Sequence, residues 1–167
     1  MVREGVGLVG QTSTPSLPVE GFTDRDTVKL DFDKTPLWLV VYWSMRACLW
    51  FKLEGGIILE SSKGSYHVVF NRAVSWDRNL HIMCWVAMMS QIKALIRYAL
   101  MQGIKESSTL RIGPKGGKPS PRVVYRWGKQ NGQVKEYLSE RMTINKIAKY
   151  LMCESGSESA SIRRLKR

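Results

Sequence analysis

Two carboxylates one residue apart are the first feature of this chain that could carry chemistry. Asp31 and Asp33 lie in the segment "VKLDFDKTP", where Val28, Leu30 and Phe32 alternate with charged residues at the period of a β-strand. The two acids therefore project from one face of the predicted strand. Like charges at this separation raise each other's pKa. A hard divalent cation bound by both carboxylates would relieve that repulsion.

A turn of small residues followed by a histidine is the second such feature. In "SSKGSYH", Lys63 and Gly64 form the predicted turn, and Ser65 and His67 are the first inward-facing residues of the next strand. Glycine lets backbone N–H groups approach a phosphate closely, while a lysine and an imidazole neutralise its charge. We expect neighbouring strands of one sheet to bring this turn onto the surface that carries the two carboxylates.

The segment "KESSTLRIGPKGGKP" adds a further acid and several cations. Glu106 would be a third carboxylate, Arg111 lies on a predicted strand, and Lys115 and Lys118 lie in a flexible basic loop. Three carboxylates can hold two Mg²⁺ or Mn²⁺ ions, which clamp the attacking and leaving oxygens of a phosphoryl transfer. These residue types point to metal-dependent chemistry on a nucleoside triphosphate.

Each candidate also has an interpretation without chemistry. The two aspartates would then pair with Lys34 or Arg25 at the end of a strand. His67 would be a hydrogen-bonded core residue, Glu106 a surface acid, and the loop lysines solvated charge. Asp77 is a rival third acid, although it also suits a helix N-cap.

The order of these segments resembles the three-motif pattern of the archaeo-eukaryotic primase-polymerase superfamily. That pattern is a strand with D-x-D or D-x-E, then a small residue and a histidine, then a third acid ahead of a strand with an arginine. "LDFD", "SSKGSYH" and "ESSTLRIGPKGGKP" follow it over roughly residues 27–127, in the style of the small replication enzymes of archaeal plasmids and viruses. The chain departs from the family in having Glu106 rather than Asp, and in having no zinc-binding knuckle.

The resemblance implies a template-directed nucleotidyltransferase that acts in DNA replication, on its own or with a replication-protein partner. It assigns the catalytic Mg²⁺ or Mn²⁺ to Asp31, Asp33 and Glu106. The incoming nucleoside triphosphate would be held by Lys63, Ser65, His67 and Arg111. DNA, in the first place a single-stranded template, would bind through its phosphates to Lys115, Lys118, Arg122, Arg126, Arg163 and Arg164.

Two other functions remain open from the sequence. Asp33, Glu60 and Lys63 imitate the acid–acid–lysine set of a metal-dependent DNA nuclease. The Glu-x-x-Lys spacing argues against that set, because a strand would place the last two side chains on opposite faces. The other function is that of a non-catalytic DNA-binding protein, acting in replication or regulation through its C-terminal helices.

Charge is distributed unevenly along the 167 residues, whose formal net charge is +12. Residues 1–110 hold 12 Lys or Arg and 10 acids, whereas residues 111–167 hold 14 and 4, which predicts a polyanionic partner for the last third. The three cysteines lie far apart without metal-ligand spacing, which favours a reducing, cytoplasmic setting. Both long apolar runs contain charged residues, so no membrane partner is expected.

Apolar periodicity predicts an α/β fold, in particular an α+β plait with an RRM-like mixed or antiparallel sheet and helices on one face. Besides the first strand, strands are predicted at "GIILESS", "SYHVVFNR" and "STLRIG". Helices are predicted at Leu37–Leu53, where a strand is the alternative, and at Leu80–Met101, with Asp77 or Asn79 as N-cap. "RVVYRWGKQNGQVKEYL" is predicted to form a hairpin.

One domain, residues 25–141, is predicted between two extensions. Residues 1–24 are predicted to be a flexible N-terminal arm. Residues 142–167 are predicted to be a short basic helical extension, in which "TINKIAKYL" and "SASIRRLKR" flank a polar turn in the outline of a helix-turn-helix. A disordered basic tail is the alternative for this segment.

Overall fold

The computed structural model describes residues 21–115 and 117–164, with the backbone alone for residues 148 and 150–164. The chain forms, in order, β1 (Gly21–Asp24), β2 (Thr27–Phe32), α1 (Leu37–Phe51), β3 (Gly55–Ser62), β4 (Ser65–Ala73), α2 (Trp76–Ser90), α3 (Lys93–Lys105), β5 (Ser108–Arg111), β6 (Arg122–Gly128) and α4 (Gln133–Arg164). The predicted α+β class is confirmed. Within these residues, no helix is both long and apolar enough to cross a membrane.

The main sheet has four strands in the order β2-β4-β3-β6, and each strand is antiparallel to its neighbours. The unit β2-α1-β3 is a split β-α-β arrangement, because β4 lies between the two strands that α1 connects. This order places the "LDFD" strand directly beside the "SYH" strand. The two motifs that could carry chemistry are thus neighbours in space.

The two faces of β2 have different environments. Val28, Leu30 and Phe32 are fully buried on one face, in the core to which α1 and α2 contribute. Asp31 and the fully buried Lys29 lie on the other face, because successive strand residues alternate. The strand is therefore held between two packed layers, and only its C-terminal end reaches solvent.

A two-stranded antiparallel ribbon of β1 and β5 lies against β2. Lys29 of β2 binds both strands of this ribbon. Its Nζ atom lies 2.8 Å from Asp24 Oδ2 of β1 and donates to the Ser108 carbonyl of β5 at 3.0 Å. Burial lowers the pKa of Lys29, and the neighbouring Asp24 carboxylate opposes that shift. β5 thus pairs with β1 and follows the edge of the main sheet without joining its hydrogen-bond ladder.

The helix predicted over Leu80–Met101 is wrong, since two helices occupy this region. α2 ends at Ser90, and Gln91 adopts a left-handed conformation with φ of 54° and donates its N–H to the Ala87 carbonyl. Such a conformation ends an α-helix. The N-cap of α2 is Ser75, whereas the buried Asn79 donates to the Thr27 carbonyl at 2.9 Å. The predicted caps Asp77 and Asn79 are therefore also wrong.

The predicted hairpin after β6 is wrong as well, because the chain turns into α4 at Gln133. Gly132 donates its N–H to Asn71 Oδ1 at 2.9 Å, and Val134 and Tyr137 are fully buried. Tyr137 packs edge-on against Phe22 of β1, with ring centroids 5.3 Å apart. α4 therefore begins as part of the domain, where it packs against β1 and β4.

The helix-turn-helix outline is not formed, because "CESGSES" continues the single helix α4. The predicted domain boundary at residues 141 and 142 falls inside this helix. Of the predicted N-terminal arm, residues 1–20 lie outside the described part of the chain, and residues 21–24 form β1.

Candidate functional site

The pairing of β2 with β4 brings the two motifs together. Asp31 is opposite His67 in the strand register, and the Asp31 Oδ1 atom lies 3.8 Å from His67 Nε2. The turn before β4 depends on Gly64, whose φ of 73° lies in the left-handed region that glycine adopts without strain. The Gly64 carbonyl accepts the Thr35 N–H at 2.9 Å, which fixes the turn against the end of β2.

Asp33 is oriented by Ser65. The Ser65 hydroxyl donates to Asp33 Oδ1 at 2.6 Å, and the Lys34 N–H donates to the Ser65 Oγ at 3.4 Å. Ser65 itself is buried, whereas Asp33 is exposed. The carboxylate is thus held in one position with lone pairs still open to a ligand.

Both aspartates face a cleft of about 700 Å³ between the end of β2, α3 and the loop after β5. Its volume lies within the range of pockets that hold small molecules. Acidic and polar side chains from β2, β3 and β4 line one part, and basic side chains line another. The lining residues on which the chemistry depends are Asp31, Asp33, Ser65, His67, Arg97, Lys105, Arg111, Lys115 and Lys118.

The pKa of Asp31 is raised to about 6 from 3.8, chiefly by burial and then by repulsion from Asp33, with the positive charge of Arg111 opposing the shift. The free energy of the two carboxylates is therefore unfavourable when both are ionised. A cation bound between them would remove this penalty. Raised carboxylate pKa values of this kind are common at functional sites.

The pKa of His67 is lowered to about 3 from 6.5, by burial and then by the charge of Arg111. Without a ligand, the imidazole is therefore neutral at physiological pH. Its Nδ1 atom is buried and has no hydrogen-bond partner among the described residues. A neutral imidazole can still donate one hydrogen bond to a ligand.

Arg111 is occupied largely by the protein itself. Its Nη1 atom donates to the carbonyls of Gly113 and Pro119 at 2.7 and 2.8 Å, and Nη2 donates to the Ser61 carbonyl at 2.6 Å. These bonds tie both ends of the loop after β5 to the end of β3. Arg111 thus positions the loop, while its charge still faces the cleft.

The loop held by Arg111 closes in a tight turn. Lys115 and Lys118 exchange backbone hydrogen bonds of 3.0 and 2.8 Å, and both side chains line the cleft. The sequence predicted a flexible loop here, whereas the bonds make this turn a defined element. Two cations are thereby presented side by side to any ligand in the cleft.

α3 supplies a basic part of the cleft that the sequence analysis missed. Arg97, Tyr98 and Lys105 line it, with Arg97 and Lys105 two helical turns apart on one face. The spacing was visible in the sequence. The apolar pattern continues through Gln91, so the sequence gives no sign that a separate helix turns these two cations toward the cleft.

Glu106 is not brought to the cleft. It lies just beyond α3 with φ of 55°, its side chain is 73% exposed, and its Oε2 atom is 4.0 Å from Arg25 Nη2. The end of α3 directs it toward the β1–β2 turn, away from the two aspartates. Asp77, the rival third acid, lies in the first turn of α2 and does not line the cleft either.

Several other predicted ligand residues lie elsewhere. Lys63, at the β3–β4 turn, does not line the cleft. Arg122 of β6 pairs with Glu60, at 3.1 Å between Nη2 and Oε2. Arg126 of β6 donates a hydrogen bond to the Gln130 side chain, which follows the strand. Arg163 and Arg164 belong to the part of α4 described by its backbone alone.

The set proposed for a nuclease is not assembled. Glu60 is opposite Tyr66 in the register of β3 and β4, whereas Leu59 is opposite His67. Since neighbouring residues alternate, Glu60 points to the face of the sheet away from Asp31 and His67. Asp33, Glu60 and Lys63 therefore do not share a site.

The donor set fits one divalent cation rather than two. Within the described residues, no group of three or more acidic, histidine or cysteine side chains could hold a metal ion by itself. Mg²⁺ often uses only one or two carboxylates and completes its coordination with substrate phosphates and water. Asp31 and Asp33 meet that requirement if a polyphosphate occupies the basic side of the cleft.

The fold and the site together define an α+β domain whose cleft is lined by two carboxylates, a neutral imidazole and five cationic side chains. No family model, curated protein or solved structure matches this chain. The interpretation of the site therefore rests on its own geometry.

Proposed function

We propose that the chain is a template-directed nucleotidyltransferase of the primase-polymerase kind, which joins nucleotides in DNA replication. The observation that carries the proposal is the pairing of β2 with β4. It brings Asp31, Asp33, Ser65 and His67 to one cleft that basic side chains also line. This is the arrangement that the resemblance to the primase-polymerase superfamily predicts for its first two motifs.

The charge pattern of the cleft favours a nucleoside triphosphate as substrate. Its phosphates would contact Arg97, Lys105, Lys115 and Lys118, because these cations line the cleft together. The neutral imidazole of His67 would donate a hydrogen bond to a phosphate oxygen without adding charge. A volume of about 700 Å³ is sufficient for a nucleotide.

The protein's carboxylates would hold a Mg²⁺ or Mn²⁺ ion, which when bound activates the attacking 3′-hydroxyl and neutralises the leaving pyrophosphate. Ser65 keeps the Asp33 carboxylate in position for this task. Arg111 keeps Lys115 and Lys118 over the cleft through its three carbonyl contacts. Glu106 has no part in this site.

A single-stranded DNA template and a cytoplasmic setting belong to the same proposal. Template phosphates would follow the basic surface from the Lys115–Lys118 turn to the exposed Arg126 of β6, whereas Arg122 pairs with Glu60 on the other face of the sheet. Binding of this kind weakens steeply with salt because counterions are released. The excess of Lys and Arg in residues 111–167 supports a template path along this part of the chain.

The decisive experiment uses labelled nucleoside triphosphates, a single-stranded template with and without primer, and Mn²⁺ or Mg²⁺. Extended products are expected from the intact chain, and none from the double variant Asp31→Asn/Asp33→Asn. Glu106→Gln is the matched control and should retain activity, because Glu106 lies outside the cleft. Absence of extension under every condition would refute the proposal, and a shortened template would indicate a nuclease instead.

A further inference from the structure

The outward face of α1 is mostly apolar. Trp38, Leu49 and Trp50 are 70%, 74% and 69% exposed, and Tyr42 is 46% exposed. The helix contains one charged residue, Arg46. A helix that is apolar on all sides is normally covered on all sides. The opposite side of α1, which includes Val40 and Ala47, already packs in the core, so this outward side is without a covering element in the described chain.

The end of α2 enlarges this surface. Trp85 stacks on Trp50 with ring centroids 6.1 Å apart and an angle of 15° between the rings. Met88 and Met89 follow Trp85 by three and four residues, which puts them on the same side of the helix, and they are 73% and 53% exposed. We refer to Trp38, Tyr42, Arg46, Leu49, Trp50, Met88 and Met89 as the α1 face.

The area of the α1 face suits a stable protein interface. Large aromatic side chains cover about 150–250 Å² each. The exposed fractions of the seven residues therefore give on the order of 800 Å² of accessible surface, which is the area that each partner contributes to an interface of standard size. Interfaces are also enriched in the residue types found here, namely Trp, Tyr, Met and Arg, and depleted in Lys and Glu.

The spacing along α1 makes this face complementary to itself. Trp38, Tyr42, Arg46 and Trp50 follow one another at intervals of four residues, forming the kind of ridge that packs in the commonest class of helix pairs. The series is symmetric about residue 44. In two antiparallel copies, Trp38 would meet Trp50 of the second copy, and Tyr42 would meet Arg46 of the second copy. Within one chain, the Arg46 guanidinium already lies 5.8 Å from the centre of the Tyr42 ring.

We propose that the α1 face binds a second copy of this chain, as a two-fold dimer in which the two α1 helices pack antiparallel. An isologous interface requires that residue i contacts residue j and that j contacts i, and the α1 series satisfies this condition. Charge argues against a polyanion here, because α1 holds only one of the 26 Lys and Arg residues. No α1 residue lines the cleft, so the dimer is independent of the proposed function.

Sedimentation equilibrium of the full chain tests the dimer. The intact chain should sediment at twice 19.1 kDa. Trp38→Glu and Trp50→Lys should each raise the dissociation constant by at least about thirtyfold, as expected for a central interface aromatic. Ile104→Glu is the matched control, because Ile104 is 86% exposed but lies on α3. Its dissociation constant should equal that of the intact chain.

Mixing the two variants tests the antiparallel pairing itself. In a mixed dimer, Glu at position 38 meets Lys at position 50, and the remaining Trp pair is intact, so the dimer should form again. Circular dichroism tests whether each variant is folded. If one variant is unfolded, Tyr42→Ala replaces it as a milder change, with a dissociation constant expected to rise about tenfold.

Three results would overturn the inference. They are a monomeric intact chain, a dimer indifferent to Trp38→Glu, and a mixture of the two variants that stays monomeric. A monomer that instead binds phosphatidylserine vesicles would assign the α1 face to a membrane surface, and would equally overturn it.

Discussion

Asp31 and His67 face each other across β2 and β4, with Oδ1 of the acid 3.8 Å from Nε2 of the imidazole. The pKa of Asp31 is raised to about 6 and that of His67 is lowered to about 3. At neutral pH the pair is therefore a carboxylate beside a neutral ring, and among the described residues no lysine or arginine forms an ion pair with Asp31 or Asp33. A metal ion bound with a phosphate would fill that role.

The opposed pKa shifts predict opposite effects on stability. Between pH 3.8 and about 6 the folded state binds the Asp31 proton more tightly than the unfolded state, so this group lowers the unfolding free energy as pH rises. Between about pH 3 and 6.5 the unfolded state binds the His67 proton more tightly, so this group raises the unfolding free energy as pH rises. In the intact chain the two effects partly cancel.

Substitutions should separate these effects in urea unfolding without divalent cations. From pH 4 to 6, the unfolding free energy of Asp31→Asn should rise relative to that of the intact chain, and that of His67→Gln should fall. His81→Gln is the control, because His81 is exposed on α2. If the unfolding free energies of all four proteins changed with pH in parallel, the folded site would not shift the pKa of Asp31 or His67.

Ser65→Ala is expected to weaken metal binding without unfolding the domain. The variant removes the 2.6 Å bond that orients Asp33, and losses of such supporting bonds usually reduce metal affinity about 10–100-fold. Electron paramagnetic resonance titration with Mn²⁺ and a triphosphate measures the affinity directly. Ser107→Ala, at an exposed hydroxyl near the end of α3, should leave it unchanged. Equal affinities for both variants would contradict the role of Ser65.

Arg111→Gln is expected to release the loop, whereas Lys115→Gln/Lys118→Gln should remove its charge and keep its shape. Hydrogen exchange of the Lys115 and Lys118 N–H groups should accelerate only in Arg111→Gln, because the three carbonyl contacts are lost. Both proteins should show a KM for nucleoside triphosphate raised about tenfold, as for the loss of a charged hydrogen bond. Unchanged exchange in Arg111→Gln would mean that Arg111 acts only through its charge.

Lys29→Met is expected to destabilise the domain by about 3–5 kcal/mol, the usual cost of breaking a buried ion pair. Lys29 is fully buried, and its loss leaves Asp24 and the Ser108 carbonyl without their donor. Urea unfolding at pH 7 measures the change, and Lys93→Met on the exposed side of α3 is the control. A difference below about 1 kcal/mol, as for an exposed pair, would contradict the structural role of Lys29.

Local sequence patterns predicted the elements around the cleft because these patterns are short and strong. Alternation at Val28–Phe32 predicted β2, and the Gly64 turn predicted the junction between β3 and β4. The expectation that neighbouring strands bring the two motifs to one surface agrees with the pairing of β2 and β4. The shared surface of Asp31 and His67 was therefore accessible from the sequence. So was α1, with its proline entry at Pro36.

Contacts between segments far apart in the chain could not be predicted from such local patterns. The break at Gln91 divides a continuous apolar pattern, and only the packed structure shows that α3 turns Arg97 and Lys105 toward the cleft. Glu106 was placed by its distance from Arg111 along the chain, whereas the left-handed backbone at the end of α3 decides its direction. Asn131-Gly132 has the composition of a hairpin turn, but the burial of Val134 and Tyr137 favours a helix there.

The strand order has a consequence for how the chain is made. β1 pairs with β5 and β3 pairs with β6, so the two-stranded sheet is complete only after residue 111 has left the ribosome, and the four-stranded sheet only after residue 128. The Lys29 ammonium acquires its Ser108 partner only 79 residues later in synthesis. Until then a nascent chain exposes unpaired strand edges, which favour aggregation. Folding of this domain thus requires the synthesis of β5 and β6, and chains truncated before Ser108 should be recovered as insoluble material.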